Sequence, residues 1–233
     1  MMIGKGIEDI DMTVPRDAYN IGKDTPTFNA YLTVIVRSPE GRVVKVHRQR
    51  SHSPTSNFIA LILPLTFFSN GGSAPTLKNT SGNTSGYGPA LNSNAQCITY
   101  PASSTNRNTN LVMIQVGSGQ QSNPYSAYTL AAPIANGSGS GQLVYGQPSV
   151  SSSVVVSGSE AYFTISQTFN NSSGGTVTIT EVGIIMYLQT QNSSGSGYNT
   201  VGNLLVWYDV LSSSISIPNG GSVVIYYTFT VNP

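Results

Sequence analysis

Few side chains in this chain could carry out acid–base or metal chemistry. His47 and His52 are the two histidines, and they stand five residues apart among arginines. No cysteine or carboxylate accompanies them at the spacing of a zinc site, and no G-x-S-x-G sequence supplies a nucleophilic serine. The sequence therefore predicts no catalytic residue, no metal ligand and no cofactor.

Carboxylates offer a second chemistry, that of a glycosidase acid and nucleophile. Glu160, Glu181 and Asp209 lie on or beside predicted strands, but nothing in their spacing pairs them. Residues 8–11, EDID, lack the glycine and terminal glutamate of a calcium loop, which favours a solvated acidic patch. For Asp209, a side chain that bonds backbone is a simpler interpretation than catalysis, so enzyme is the least favoured class.

Composition indicates an all-β chain with long polar loops. Charged residues make up 8% of the 233 residues, and the net charge is +1. Gly, Ser, Thr and Asn replace the charges, while Val, Ile, Thr and Tyr suit a pleated surface. A surface so poor in charge is typical of proteins that are packed into assemblies, glycosylated or exposed outside cells. Cys97 is the single cysteine, so no intrachain disulfide can form.

Segments for membrane targeting are not predicted. The first nineteen residues mix charges from the start and lack the apolar region of a signal peptide. The apolar run FIALILPLTFF (residues 58–68) is shorter than the ~20 residues that span a bilayer, and Pro64 interrupts it.

A hairpin and a helix are expected at residues 28–68, after an irregular arm of residues 1–27. NAYLTVIVRS, the turn PEGR and RVVKVHRQR read as two strands, and the second strand alternates Lys45, His47 and Gln49 against Arg48 and Arg50. The helix is predicted over residues 54–63, with Ser53 as its cap and Pro64 as its end. We expect it to close one end of a sandwich core.

The rest of the chain predicts a long polar insertion followed by the main β portion. Residues 69–110 are rich in Gly, Ser and Asn and read as a loop or insertion. Strands follow at residues 111–117, 141–146, 160–169, 176–188 and 203–211. A change of parity at Glu181 indicates either a bulge or a strand that passes from half-buried to fully buried. Residues 215–217 and 222–231 are predicted to form a hairpin around PNGG. About eight strands and one short helix predict an antiparallel double-sheet sandwich that resembles a jelly roll. Residues 111–233 form its main portion in this interpretation. Alternatively, residues 28–233 form one domain.

Several motifs resemble the virion structural proteins of archaeal viruses. They are LVMIQVGSGQQSNPYSAYTLAAPIANG, NSSGGTVTITEVGIIMYL, DVLSSSISIPNGGSVVIYYTFTVNP and VHRQRSHSPTSNF. The set is similar to turret- and spike-type proteins, as in the turreted icosahedral viruses of Sulfolobus, and to tail-associated proteins of prophages. The resemblance covers about two thirds of the chain and departs from the pattern at residues 69–110 and 192–199.

The resemblance implies a structural component of a virus particle that is exposed at the particle surface and assembled in the host cytoplasm. Copies of itself and other virion proteins are the expected partners, with a host-surface glycan or protein as a further partner. A subunit of an extracellular filament built by strand donation, and a carbohydrate-binding attachment module, remain alternatives.

Basic residues cluster in the predicted hairpin. Nucleic acid would suit such a cluster, but a sequence pI of about 7.8 and the lack of interleaved aromatic residues argue against it. We instead predict an assembly contact with an acidic neighbour, through Arg37, Arg42, Lys45, Arg48 and Arg50.

Surface loops carry two further sets of candidates. Glycan acceptor sequences occur at Asn79, Asn83, Asn136, Asn170, Asn171 and Asn192. Tyrosines in polar loops are candidate ligand contacts, namely Tyr87, Tyr125, Tyr128 and Tyr198.

Overall fold

The computed structural model describes residues 27–51, 53–67, 76–86, 97–100, 114–151, 153–191 and 198–232. Within them lie thirteen strands, one α-helix and one short 3₁₀ helix, Pro124–Ser126. The α-helix, α1, is Ser56–Phe67. The strands are β1 (Thr27–Arg37), β2 (Val43–Ser51), β3 (Thr76–Lys78), β4 (Thr84–Gly86), β5 (Cys97–Tyr100), β6 (Ile114–Gly117), β7 (Val144–Tyr145), β8 (Ser149–Val150), β9 (Val155–Ser157), β10 (Glu160–Asn170), β11 (Val177–Gln191), β12 (Tyr198–Ile217) and β13 (Ser222–Asn232).

Two antiparallel sheets form the body of the protein. Sheet A has the order β2-β1-β13-β10-β7, and β8 and β9 also pair with β10. Sheet B has β12 next to β11, and both β5 and β6 pair with β11. A small third sheet joins β3 and β4, so the predicted polar segment 69–110 contains short strands. The predicted all-β double-sheet architecture is confirmed, whereas its jelly-roll connectivity stays a prediction. Strands from residues 28–68 and from 111–233 share sheet A.

The core lies between the two sheets, and strand alternation decides which side chains enter it. On β13, Val223, Ile225, Tyr227 and Phe229 are buried and face sheet B. The residues between them, from Val224 to Thr228, are half-buried on the outer face. This pattern follows from the period of two in a strand, which places alternate residues on opposite faces of the sheet.

The predicted hairpin between residues 215–217 and 222–231 is wrong. Ile215 and Ile217 pair with Ile179 and Val177 of β11, while β13 pairs along its whole length with β1 and β10. Residues 218–221 therefore carry the chain from sheet B to sheet A. Gly220, with φ of +78°, supplies the left-handed residue of that turn. The residues of a turn determine the local reversal of the chain, which was predicted correctly. They do not determine which strand pairs with the one that follows the turn.

A buried asparagine ties the two sheet-crossing turns together. Asn171 follows β10, and its side-chain nitrogen donates to the carbonyls of Gly175 and Ile217 at 2.8 Å each. Its backbone N–H donates to Gly221 O, and Gly220 N–H donates to its carbonyl. The turn that leaves sheet A and the turn that returns to it are thus held at one point.

The predicted helix is present, but its limits differ. It begins at Ser56 and continues through Pro64 to Phe67, so the predicted span of 54–63 is shifted. Thr55 precedes it and donates its hydroxyl to Leu205 O, while Phe58 packs edge-on against Trp207 with ring centroids 5.3 Å apart. These contacts hold the first turns against β12. Pro64 therefore does not end the helix, although a proline disfavours helical geometry in the residue before it.

The bulge predicted at Glu181 is confirmed. Pairing of β11 with β12 shifts between Ile179 and Glu181, and residue 210 of β12 follows residue 215 in the register. Residues 203–211 and 215–217, predicted as separate strands, belong to the single long strand β12. The bulge places Glu181 on the side of sheet B that faces away from the core between the sheets.

Candidate assembly surface

The basic hairpin forms the free edge of sheet A in the part of the chain that the structure describes. β2 pairs with β1 on one side only. Val43, Val44 and Val46 are 49%, 58% and 57% exposed along it. The opposite edge differs, because it consists of β7, β8 and β9, which are two or three residues long. A long edge strand with unpaired backbone groups and exposed valines is a surface on which another chain can pair.

The structure separates the five predicted contact residues into three places. Arg48 and Arg50 lie together on the outer face of sheet A, opposite Thr33 and Tyr31 of β1. Lys45 has the other parity and donates to Ser214 O of β12 at 3.0 Å. Arg37 and Arg42 flank the β1–β2 turn and are exposed, and they stand well apart from the Arg48–Arg50 pair. Of the predicted set, the structure brings together only Arg48 and Arg50.

A groove runs over the outer face of sheet A beside these two arginines. Its volume is about 490 Å³. It is lined by Tyr31, Arg48, Gln49, Arg50, Glu160, Thr228 and Thr230. The four neighbouring strands β2, β1, β13 and β10 each contribute side chains to it. Tyr31 of β1 lies between them, because it pairs with Arg50 of β2 on one side and with Thr228 of β13 on the other. Sequence reasoning found the arginines but missed the groove, which only the order of strands in the sheet creates.

The two arginines of the groove bond to neutral oxygen atoms, and one carboxylate, Glu160, lines the same groove. Arg48 donates to the Thr33 hydroxyl at 3.3 Å, and Arg50 donates to the side-chain oxygen of Asn29 at 2.7 Å. The Thr230 hydroxyl is buried and has no hydrogen-bond partner among the residues that the structure describes. A guanidinium group donates a stronger hydrogen bond to a carboxylate than to these neutral acceptors. The groove is therefore suited to an anionic group.

Asp209 belongs to a buried hydrogen-bond cluster inside the core. It accepts from the hydroxyls of Ser51 and of Tyr227, the latter at 3.0 Å. Ser51 in turn accepts from the indole N–H of Trp207. Asp209 is 3% exposed. The cluster joins sheet A to sheet B, so the carboxylate has a structural role.

Glu181 organises a loop that covers the outer face of sheet B. Its two side-chain oxygens accept from the backbone N–H groups of Gly119, Ala131 and Ala132, at 3.2, 3.0 and 2.8 Å. The Tyr208 hydroxyl donates a fourth bond at 2.8 Å. Glu181 is completely buried. Its partner in the strand register is a glycine, Gly117, and a Cβ there would lie 2.3 Å from a Glu181 oxygen.

The three late carboxylates do not meet in one cavity. Asp209 of β12 pairs with Val182 of β11, and its side chain points into the core. Glu181 is the residue before Val182, and its side chain points to the loop on the outer face of sheet B. Glu160 lines the groove on the outer face of sheet A. This arrangement gives no pair of carboxylates for glycoside hydrolysis.

His47 is the histidine that the structure describes, and it contacts polar side chains rather than metal-binding ones. His47 bonds to the side-chain oxygen of Gln49 at 2.9 Å and lies 3.5 Å from the Ser213 hydroxyl. His52 and residues 8–11 fall outside the described part. In that part, no three metal-binding side chains come together. There, too, no helix has the length and apolar character needed to cross a membrane.

The candidate tyrosines differ in their surroundings. Tyr125, in the 3₁₀ helix, is 59% exposed. Tyr128 is partly covered, because the Lys78 ammonium stands 3.7 Å from its ring centroid. Tyr87 and the side chain of Tyr198 fall outside the described residues. Both described tyrosines belong to the loop that Glu181 holds.

The glycan acceptor sequences also differ. Asn83, Asn136 and Asn170 are exposed, and Asn79 is half-buried with its side-chain oxygen bonded to Ser81 N–H and Asn83 N–H. Asn171 is 1% exposed and its amide nitrogen donates to two carbonyls, so the folded chain does not offer it as an acceptor. Asn192 lies outside the described residues.

Alkaline pH should destabilise the fold through its buried tyrosines. Burial raises the pKa of Tyr145 to about 12, and it raises the pKa of Tyr208 and Tyr227 as well. The native state therefore holds protons that the unfolded state releases near pH 10, so this stability is present below about pH 10 and lost as pH rises through about 12.

We expect the free energy of unfolding to fall by up to about 1.4 kcal/mol per pH unit for each such tyrosine. Urea unfolding monitored by circular dichroism at about pH 8, 10 and 11.5 measures the decline. Tyr145→Phe should show a shallower decline than the parent, and an equal slope would contradict the assignment.

Comparisons of this chain with protein-family models, with curated proteins and with solved structures found no match.

Proposed function

We propose that this chain is a non-enzymatic structural subunit of a virus particle, exposed at the particle surface as a turret, spike or vertex-associated protein. The long edge strand β2 supports the proposal most, because its exposed valines adjoin an arginine-lined groove. An edge of this kind invites pairing with another chain. The resemblance to virion proteins and the scarcity of charge point in the same direction.

A filament built by donation of the last strand is less well supported. β13 pairs with β1 through eleven residues and with β10 through ten residues of the same chain. Both of its edges are therefore occupied inside the subunit, and its donation would empty the middle of sheet A. Packing of whole subunits through the β2 edge requires no such rearrangement.

Paired lysine substitutions on the two edges of sheet A test the proposal. Val44→Lys with Val46→Lys places two charges on the β2 edge, and we expect association of the purified full chain to weaken at least about tenfold, which corresponds to ~1.4 kcal/mol. Val154→Lys with Val156→Lys is the matched control, because Val154 and Val156 are 59% and 73% exposed beside the opposite edge.

Analytical ultracentrifugation and negative-stain electron microscopy measure the assemblies. Both variants should unfold at the parent temperature, since all four positions are exposed. Assembly that survives the β2 substitutions, or that the control abolishes equally, would overturn the β2 interface. Absence of the protein from purified particles would overturn the virion role.

A further inference from the structure

The N-terminal segment holds most of the acidic residues of the chain. Of the nine carboxylate side chains, five occur in the first 24 residues: Glu8, Asp9, Asp11, Asp17 and Asp24. The same stretch has three basic residues, so its net charge is 3 − 5 = −2, and residues 27–233 carry 7 − 4 = +3. Of the other four carboxylates, Glu181 and Asp209 are buried in structural roles, Glu40 lies in the β1–β2 turn and Glu160 lines the groove itself. The N-terminal segment is therefore the most acidic stretch of the chain that could supply an occupant of the groove.

The spacing of the acidic segment matches that of the arginines. In an extended segment, Asp9 and Asp11 share one side and stand roughly 7 Å apart. Arg48 and Arg50 also stand two residues apart on one face of β2 and line the groove together. Two carboxylates can therefore meet two guanidinium groups in register, in pairs that are stronger than the present bonds to neutral oxygens.

The position of the groove makes the segment of a neighbouring copy accessible. Asn29 pairs with Thr230, so the groove lies at the end of sheet A where β1 begins. Twenty-six residues precede β1 and can span up to about 85 Å when extended. The groove also adjoins the β2 edge, where the valines are exposed. A copy that packs on this edge brings its own N-terminal segment within reach.

We propose that residues 8–11 of one copy bind in the groove of a neighbouring copy, with Asp9 and Asp11 facing Arg48 and Arg50. This inference rests on the proposed role as a packed subunit and names the contact that joins the copies.

Disulfide trapping between full-length chains tests the contact. In a Cys97→Ser background, one preparation carries Asp11→Cys and the other Arg48→Cys, and the two are mixed under mild oxidation. We expect a disulfide-linked dimer of one chain of each kind, at least about tenfold more than with Arg37→Cys. That control also lies on the outer face, but four residues and roughly 13 Å further along β1 than Thr33, which pairs with Arg48.

A charge exchange supplies the second measurement. Asp9→Arg with Asp11→Arg should weaken association at least about tenfold, and Arg48→Asp with Arg50→Asp in the same chain should restore it. Trapping no better than the Arg37→Cys control, or loss of association without restoration, would overturn the proposal. So would a link that forms only within one chain when both cysteines are present.

Failure of this contact and failure of the proposed function give different results. If Asp9→Arg with Asp11→Arg forms normal assemblies that Val44→Lys with Val46→Lys disrupts, the segment contact is wrong and the packing role stands. If the parent chain forms no assembly at any concentration, the packing role fails, and the segment contact fails with it.

Discussion

Replacement of Phe229 by aspartate should abolish soluble folded protein. Phe229 is 6% exposed at the centre of the core, and its ring lies 4.9 Å from that of Phe163 and 5.1 Å from that of Trp207. Loss of a buried phenylalanine costs about 3–5 kcal/mol, and a buried carboxylate adds several kcal/mol unless it is protonated. The sum approaches the free energy of unfolding of a typical domain, which is about 5–15 kcal/mol.

Thr228→Asp is the matched control, since it introduces the same group one residue earlier. Thr228 points to the opposite face of β13 and lines the groove with Arg48 and Arg50, so the new carboxylate meets solvent and positive charge. We expect the control to remain soluble, with a melting temperature within a few degrees of the parent. The soluble fraction after expression and the near-ultraviolet circular dichroism measure both variants. A folded Phe229→Asp protein would contradict the assignment of this face to the core.

Periodicity made most of the sandwich predictable. Alternation on β2 separated Lys45 from Arg48 and Arg50, and the structure places these residues on opposite faces. A change of parity predicted the bulge at Glu181. Both features depend on the period of two in a strand, which the sequence displays directly. The helix was also visible, as a capped apolar run of suitable length.

Features that depend on distant partners were not predictable. The turn at residues 218–221 shows its glycines and proline, but whether the next strand returns to the same sheet depends on β1 and β10. The groove likewise requires four strands to lie side by side in one order. Neither the pairing of β13 nor the groove can be read from the sequence of one segment. The role of Glu181 was missed for the same reason, because Gly117 and the N–H groups of Gly119, Ala131 and Ala132 lie at least 49 residues away from it in the sequence.

The second large effect is expected at Glu181. In Glu181→Ala, the N–H groups of Gly119, Ala131 and Ala132 lose their acceptor, and so does the Tyr208 hydroxyl. Each buried polar group left unpaired costs about 1–3 kcal/mol, so we expect a loss of at least ~3 kcal/mol in the free energy of unfolding. Glu160→Gln is the control, because it removes a carboxylate that lines the open groove.

Glu181→Gln separates an anchoring role from a role in packing. Glutamine keeps the size of the side chain but turns one acceptor oxygen into an N–H₂ donor, which must face a backbone N–H or the Tyr208 hydroxyl. Hydrogen exchange at Gly119, Ala131 and Ala132 should then accelerate, while the amides of β13 keep the protection of the parent. If all of these amides exchanged as in the parent, the carboxylate would not be what holds the loop. Tyr125 is exposed on that loop. Glu181→Gln should therefore weaken any binding that uses Tyr125, while association through the β2 edge stays as in the parent.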